Sequence, residues 1–169
     1  MAKVALVTDT HFGVHSNNEI FLQSQLRFFR NEFVPYLKEN GITDIVHLGD
    51  LFDNRNHINL KILNAVYDLF DNELSEFNIH VIVGNHDSLY KNTIEVNSTK
   101  FLGNFKNVNV VDDIELINID GRDILLVPWL VDLEDFATRV ANKNTDCDVC
   151  MGHFEIVGFK FNNSYYKLY

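Results

Sequence analysis

Four short apolar runs in this chain each break off into a polar cluster, and that repeated junction constrains the fold most. Lys3-Val-Ala-Leu-Val-Thr8 leads into Asp9-Thr-His11, and Asp44-Ile-Val-His-Leu48 into Gly49-Asp50. Ile79-His-Val-Ile-Val83 leads into Gly84-Asn-His-Asp87, and Asp148-Val-Cys-Met151 into Gly152-His153. Short β-branched runs bounded by Gly and Asp read as buried strands. Between them lie stretches with helical spacing. Leu22, Leu26, Phe29 and Phe33 make one apolar face. Leu60, Leu63, Val66, Tyr67 and Phe70 make another, in a helix expected from about Asn59 to Phe77, with Asp68, Asp71, Glu73 and Glu76 on its solvated side. Strands alternating with helices predict an α/β fold. In open α/β sheets, ligands bind just beyond the carboxyl ends of the strands. Parallel neighbouring strands would therefore gather all four clusters in one crevice.

Smaller signals set expected boundaries. Ser16-Asn-Asn-Glu19 has capping-box spacing. Pro35 should bend the first helix near its end, and Asn40-Gly41 should stop it. Asp120-Gly121 between apolar runs, Ile114 to Ile119 and Ile124 to Val127, predicts a hairpin. A further helix is expected near Leu133–Ala141.

The chain has 169 residues, enough for one domain over 1–169. With 46% hydrophobic and 22% charged residues, it has the composition of a globular protein. No apolar run approaches the ~18 residues that span a bilayer, and the first residues turn polar too early for a signal peptide. The expected location is the cytoplasm, with no membrane partner. Cys147 and Cys150 are too few for a disulfide framework. Three apart in a strand-like run, they should point to opposite faces, and plain burial is expected. The net charge is 14 − 24 = −10. Nucleic-acid binders usually have a basic balance. Here a nucleic-acid substrate would need metal ions or a partner to supply positive charge.

The clusters offer oxygen and nitrogen donors and no thiolate, a set suited to Mn²⁺, Fe²⁺ or Zn²⁺. Asp9 and His11 are two apart, so in extended chain both project to one side and can grip one ion. Asp50 has two oxygens and can bridge two ions. Asn85 offers a carbonyl oxygen and His153 an imidazole nitrogen. The glycines before Asp50, Asn85 and His153 permit tight turns and close approach. His47, His57 and His80 read as structural, His47 as a core residue close to Gly49.

The ordered set Asp9-x-His11, Gly49-Asp50, Gly84-Asn-His-Asp87 and His153 resembles that of the calcineurin-like metallophosphoesterases. The resemblance implies a two-sheet α/β sandwich flanked by helices and two divalent ions, with Mn²⁺ foremost and Fe²⁺, Zn²⁺ or Mg²⁺ as alternatives. It implies that Asp9, His11 and Asp50 hold one metal, and Asp50, Asn85 and His153 the other. It also implies that His86 acts on the scissile phosphate or the leaving group, oriented by Asp87. Gly49-Asp-Leu-Phe-Asp53 with Gly84-Asn-His-Asp87 looks like the SbcD-like DNA-repair nuclease branch. Val127-Pro-Trp-Leu130 and the stretch from Gly152 to Gly158 look like those of phage recombination nucleases. Many relatives have histidine where Asp53 stands, which leaves that position without an assigned role. The branch implies DNA as substrate, a homodimer and an SMC-like ATPase partner.

The family's last element, Gly-His-x-His, is absent, and no histidine follows His153. The expectation is therefore the N-terminal portion of a nuclease domain, binding metal weakly and showing little turnover alone. Two other readings are a phosphomonoesterase or cyclic-nucleotide phosphodiesterase on the same centre, and a non-catalytic interaction module.

Overall fold

The computed structural model describes residues 3–129, 138–139, 146–155, 160–161 and 164–165. β1 (Val4–Val7), β2 (Asp44–His47), β3 (Asn78–Ile82) and β4 (Val108–Val111) form a sheet in that order, all parallel. A second sheet joins β5 (Glu115–Ile119) antiparallel to β6 (Arg122–Val127), and β6 parallel to β7 (Val149–Gly152). β8 (Lys160–Phe161) and β9 (Ser164–Tyr165) form a small antiparallel ribbon.

Strand alternation divides the core in two. Ala5, Ile45, Ile79 and Val81 lie in one buried cluster with helix residues Leu22, Leu26, Leu37, Val66 and Phe70. Val46 and Ile82, on the opposite face, lie with Ile117, Ile119, Ile124 and Leu126 of the second sheet. The layers are thus helices, parallel sheet, second sheet. The inner strands read as continuous apolar runs because both their faces are covered.

The first helix spans Glu19–Phe28, widens into a π-turn over Phe29–Phe33, and finishes as Val34–Glu39. Its cap is Asn18, whose side chain accepts from the Ile20 amide at 2.9 Å. The Ser16–Glu19 capping box does not form, because His15, Ser16 and Asn17 are left-handed, with φ of +53°, +59° and +62°. Pro35 opens the final segment instead of bending the end, and the wider turn precedes it. Gly41 (φ +62°) closes the helix as expected. Its amide donates to Lys38 O at 3.2 Å and that of Ile42 to Leu37 O at 2.9 Å, the paired bonds of a Schellman stop.

The second helix begins at Leu60, capped by Asn59, and runs to Asp68. A π-turn, Leu69–Glu73, ends it short of Phe77. Its buried face is Ile62, Val66, Leu69 and Phe70, whereas Leu60 (74% exposed) and Tyr67 (47%) face outward. Two adjacent stripes of this helix are apolar, so periodicity alone could not choose which one the sheet covers. The 120–121 hairpin forms as expected. Asp120 and Gly121 have φ of +49° and +78°, the signs a type I′ turn requires. Cys147 is half-buried, but Cys150 is exposed, contrary to the expected burial. Its strand β7 is at the end of its sheet and leaves that residue uncovered. The helix expected over 133–141 lies mostly outside the described residues. Among the described residues, no helix is long and apolar enough to cross a membrane.

Candidate metal centre

Beyond their carboxyl ends, β1 and β2 stay zipped through their loops. The Leu48 amide donates to Val7 O at 2.7 Å, and the Asp9 amide to Gly49 O at 3.1 Å. The amides of His11 and Phe12 donate to Asp50 O and Leu51 O at 3.0 and 2.8 Å. Asp9, His11 and Asp50 all have positive φ, of +51°, +44° and +56°. The extended backbone expected between Asp9 and His11 is therefore replaced by a bend at each. Asp and His tolerate the left-handed region better than branched residues. The bends still cost on the order of 1–3 kcal/mol each, and such strain collects at functional sites.

Two glycines permit the crowding. Gly49 has φ +99°, and a Cβ there would stand 2.6 Å from His153 Nδ1. A Cβ on Gly84 would collide with the Asp50 carboxylate and amide.

Asp50 is the hub, 3% exposed. Its Oδ2 lies 3.5 Å from His11 Nε2, which is itself 3.6 Å from Asp9 Oδ1. Its Oδ1 lies 3.6 Å from His153 Nε2 and accepts the His86 amide at 2.8 Å. His153 Nε2 is 2.8 Å from Asn85 Oδ1. All five expected metal ligands thus meet around one carboxylate. The fourth cluster arrives differently from expectation, from the second sheet and not from a parallel neighbour in the first. The His153 amide donates to Val127 O at 3.1 Å, and the Trp129 amide to Val83 O at 2.8 Å, which stitches β6 beside β3.

The histidine tautomers follow from their partners. His153 Nδ1 is 2.8 Å from the Leu48 carbonyl, which can only accept. Nδ1 therefore carries a proton, and in the neutral ring Nε2 turns a lone pair towards the oxygens of Asn85 and Asp50. Acceptors converging on acceptors repel one another unless a cation lies among them. His11 has the same shape, with Nε2 towards Asp9 and Asp50 and Nδ1 3.5 Å from Asp53 Oδ1. A carboxylate behind a ligating histidine is a common device for holding metal ligands. His11 Nδ1 is buried without a hydrogen bond. Two donor groups have ligand atoms within 4.8 Å of one another: Asp9, His11 and Asp50, and then His11, Asp53 and His86. The donor chemistry fits hard or borderline divalent cations.

The ring of His86 is held by the main chain, its Nδ1 2.7 Å from Asp53 O, and it meets His11 edge-on at 4.8 Å. The Asp87 carboxylate is fully buried and accepts the amides of Leu51 (3.0 Å), Phe52 (3.2 Å) and Gly84 (3.0 Å). It braces the loops after β2 and β3 through these amides, and not through the His86 ring. Burial pushes its carboxyl pKa up, opposed by those amides. His47 is 4% exposed and lies beneath both loops. It accepts the Gly49 amide at Nδ1 (3.3 Å), and its Nε2 is 3.0 Å from Thr10 Oγ1. Burial lowers its pKa to about 4, so it is neutral at pH 7. Asp53 is the site residue without a role in the sequence reading. Its signal was its place three residues after Asp50, but its use depends on a carbonyl and a carboxylate facing different histidines.

The chain is 32% identical over 161 residues to exonuclease subunit 1 of Enterobacteria phage T4, covering 94% of this chain and 47% of that protein. It is 28% identical over 168 residues to a protein of Invertebrate iridescent virus 3 with a phosphoesterase name, covering 93% and 45%. The chain therefore spans a little under half the length of either relative. Among solved structures, the nuclease MPE of Pseudomonas putida superposes with a TM-score of 0.49 at 19% identity, over 73% of this chain and 52% of that one. An archaeal phosphodiesterase gives 0.46 at 16% identity, over 96% and 79%. The family model described as calcineurin-like phosphoesterase matches residues 2–167. A match over nearly the whole length makes this chain a member of the calcineurin-like phosphoesterase family.

Proposed function

We propose that this chain carries the catalytic centre of a metal-dependent DNA exonuclease or endonuclease acting in repair or recombination. The observation that carries the reading is the set of donor atoms crowded around buried Asp50, with imidazole nitrogens and carboxylate oxygens facing one another. Asp9, His11 and Asp50 would hold one divalent cation; Asp50, Asn85 and His153 would hold a second, with Mn²⁺ foremost. Such a pair lowers the pKa of a bound water and offsets charge on the phosphoryl oxygens.

The chain's own groups supply the rest. Asp53 holds His86 through its carbonyl, and its carboxylate stands 3.5 Å behind His11 Nδ1. With its Nδ1–H held on that carbonyl, His86 presents Nε2 to the scissile phosphate, and with both ring nitrogens protonated it can deliver the Nε2 proton to the leaving oxygen, worth ~10²–10⁴-fold. Asp87 fixes the loops that carry Asp50 and His86.

The name of the phage relative, a subunit, supports a partner. A homodimer doubles the charge of a net −10 chain, so the positive charge would have to come from an SMC-like ATPase partner.

Each ion would draw only three ligands from these residues, so turnover by this chain is expected to be low and substrates are best compared by ratio. The test is Mn²⁺-dependent hydrolysis of linear DNA beside bis(p-nitrophenyl) phosphate and p-nitrophenyl phosphate. A higher kcat/KM on DNA is expected. Preference for the monoester would replace the nuclease reading with that of a phosphomonoesterase.

A further inference from the structure

Arg55 stands two residues past Asp53, and its Nη1 is shut away from solvent without a hydrogen-bond partner among the described residues. The other arginines with recorded partners have carboxylates: Arg30 has Glu73, Arg122 has Asp148 and Arg139 has Asp113. In a chain with 24 acidic and 14 basic residues, a partly buried guanidinium that meets no carboxylate is conspicuous. Desolvating a charged donor without an acceptor is costly, and an anion entering beside it recovers that cost.

The surroundings offer room for one. Arg55 lines an open cleft of about 530 Å³, formed by residues 55–58 after β2 and by Leu89 and residues 96–98 after β3. Asn56, His57, Asn97 and Ser98 add polar groups to its wall. The one acid on that wall, Asp87, is fully buried and already engaged by backbone amides. The cleft adjoins the metal centre, because Asp53 contacts His11 and two residues of chain reach at most ~7 Å. A nucleic-acid strand carries a phosphate every ~3.4 Å of rise. A strand with one phosphate at Asp50 therefore brings a neighbouring phosphate within reach of Arg55. The planar fork of arginine suits a phosphodiester, which it can grip with two bonds.

We propose that Arg55 and its cleft bind a non-reacting phosphodiester one or two nucleotides from the scissile one, holding the DNA strand in register with the metal centre. This rests on the nuclease reading above. The test is fluorescence anisotropy of a short labelled DNA single strand with the 169-residue chain, in Ca²⁺, across a salt series. Arg55→Gln should weaken binding roughly tenfold and flatten the salt slope by ~0.7. Arg55→Lys should keep the slope and lose part of the affinity. Arg27→Gln, on an exposed helix face, should change neither. Wild-type affinity and slope in Arg55→Gln, or an equal loss in Arg27→Gln, would overturn the proposal while leaving the nuclease reading in place. No binding by the wild type at the lowest salt would overturn the proposal, and the hydrolysis comparison above then decides the nuclease reading by itself. Should Arg55→Gln fail to fold, Arg55→Lys decides: weaker binding at constant slope supports the contact, and unchanged affinity overturns it.

Discussion

His86 and His47 are both histidines of the site region, and their partners give them opposite work. His86 has one nitrogen tied to the Asp53 carbonyl and the other free, and Asp50 is held by its backbone and not its ring. Removing the ring should leave the five proposed ligands where they are. His86→Ala is expected to keep Mn²⁺ affinity by calorimetry and lose ~10²-fold or more in turnover; joint loss of metal and activity would contradict that division. His47 is buried neutral, with a folded pKa of about 4 against 6.5 unfolded. The unfolded chain binds the extra proton, so stability is complete above pH ~6.5 and falls as pH drops towards 4. The loss by pH 4.5 should be about 2–3 kcal/mol. Urea midpoints at pH 7 and 4.5 check it: His47→Gln should lack that part of the acid loss, and an identical loss in the variant would remove His47 as its cause.

Strands and loops show where sequence reading succeeds. The clusters at Asp9, Asp50, Asn85 and His153 were legible because each directly follows the carboxyl end of a short apolar run. The hairpin at Asp120-Gly121 and the stop at Gly41 were legible because φ > 0 leaves a residue signature. Other features leave none. The π-turns at Phe29 and Leu69 arise from packing. Left-handed Asp9, His11 and Asp50 are held by tertiary bonds between loops. The arrival of His153 from a second sheet depends on the pairing of β6 with β7. Asp87 is the clasp between the loops after β2 and β3. Asp87→Ala frees three buried amides at ~1–3 kcal/mol each, so a loss of at least about 3 kcal/mol is expected by urea denaturation. A loss below about 1 kcal/mol would show that the loops are held by other means.

At the scale of the molecule, two sheets and a helical layer serve to bring distant segments to one end. Val46 and Ile82 face the second sheet, while Ile45 and Ile79 face the helices. This three-layer packing sets the register between His153 and Asp50. The family membership and α/β architecture stand on a match over residues 2–167 and on the strand order; the proposed function stands on two ions at Asp50. Anomalous diffraction from crystals grown with Mn²⁺ tests it most directly. The account predicts two peaks sharing Asp50, one coordinated by Asp9 and His11 and the other by Asn85 and His153. Manganese bound only elsewhere, or an Asp50 carboxylate with no metal contact at saturating Mn²⁺, would contradict it.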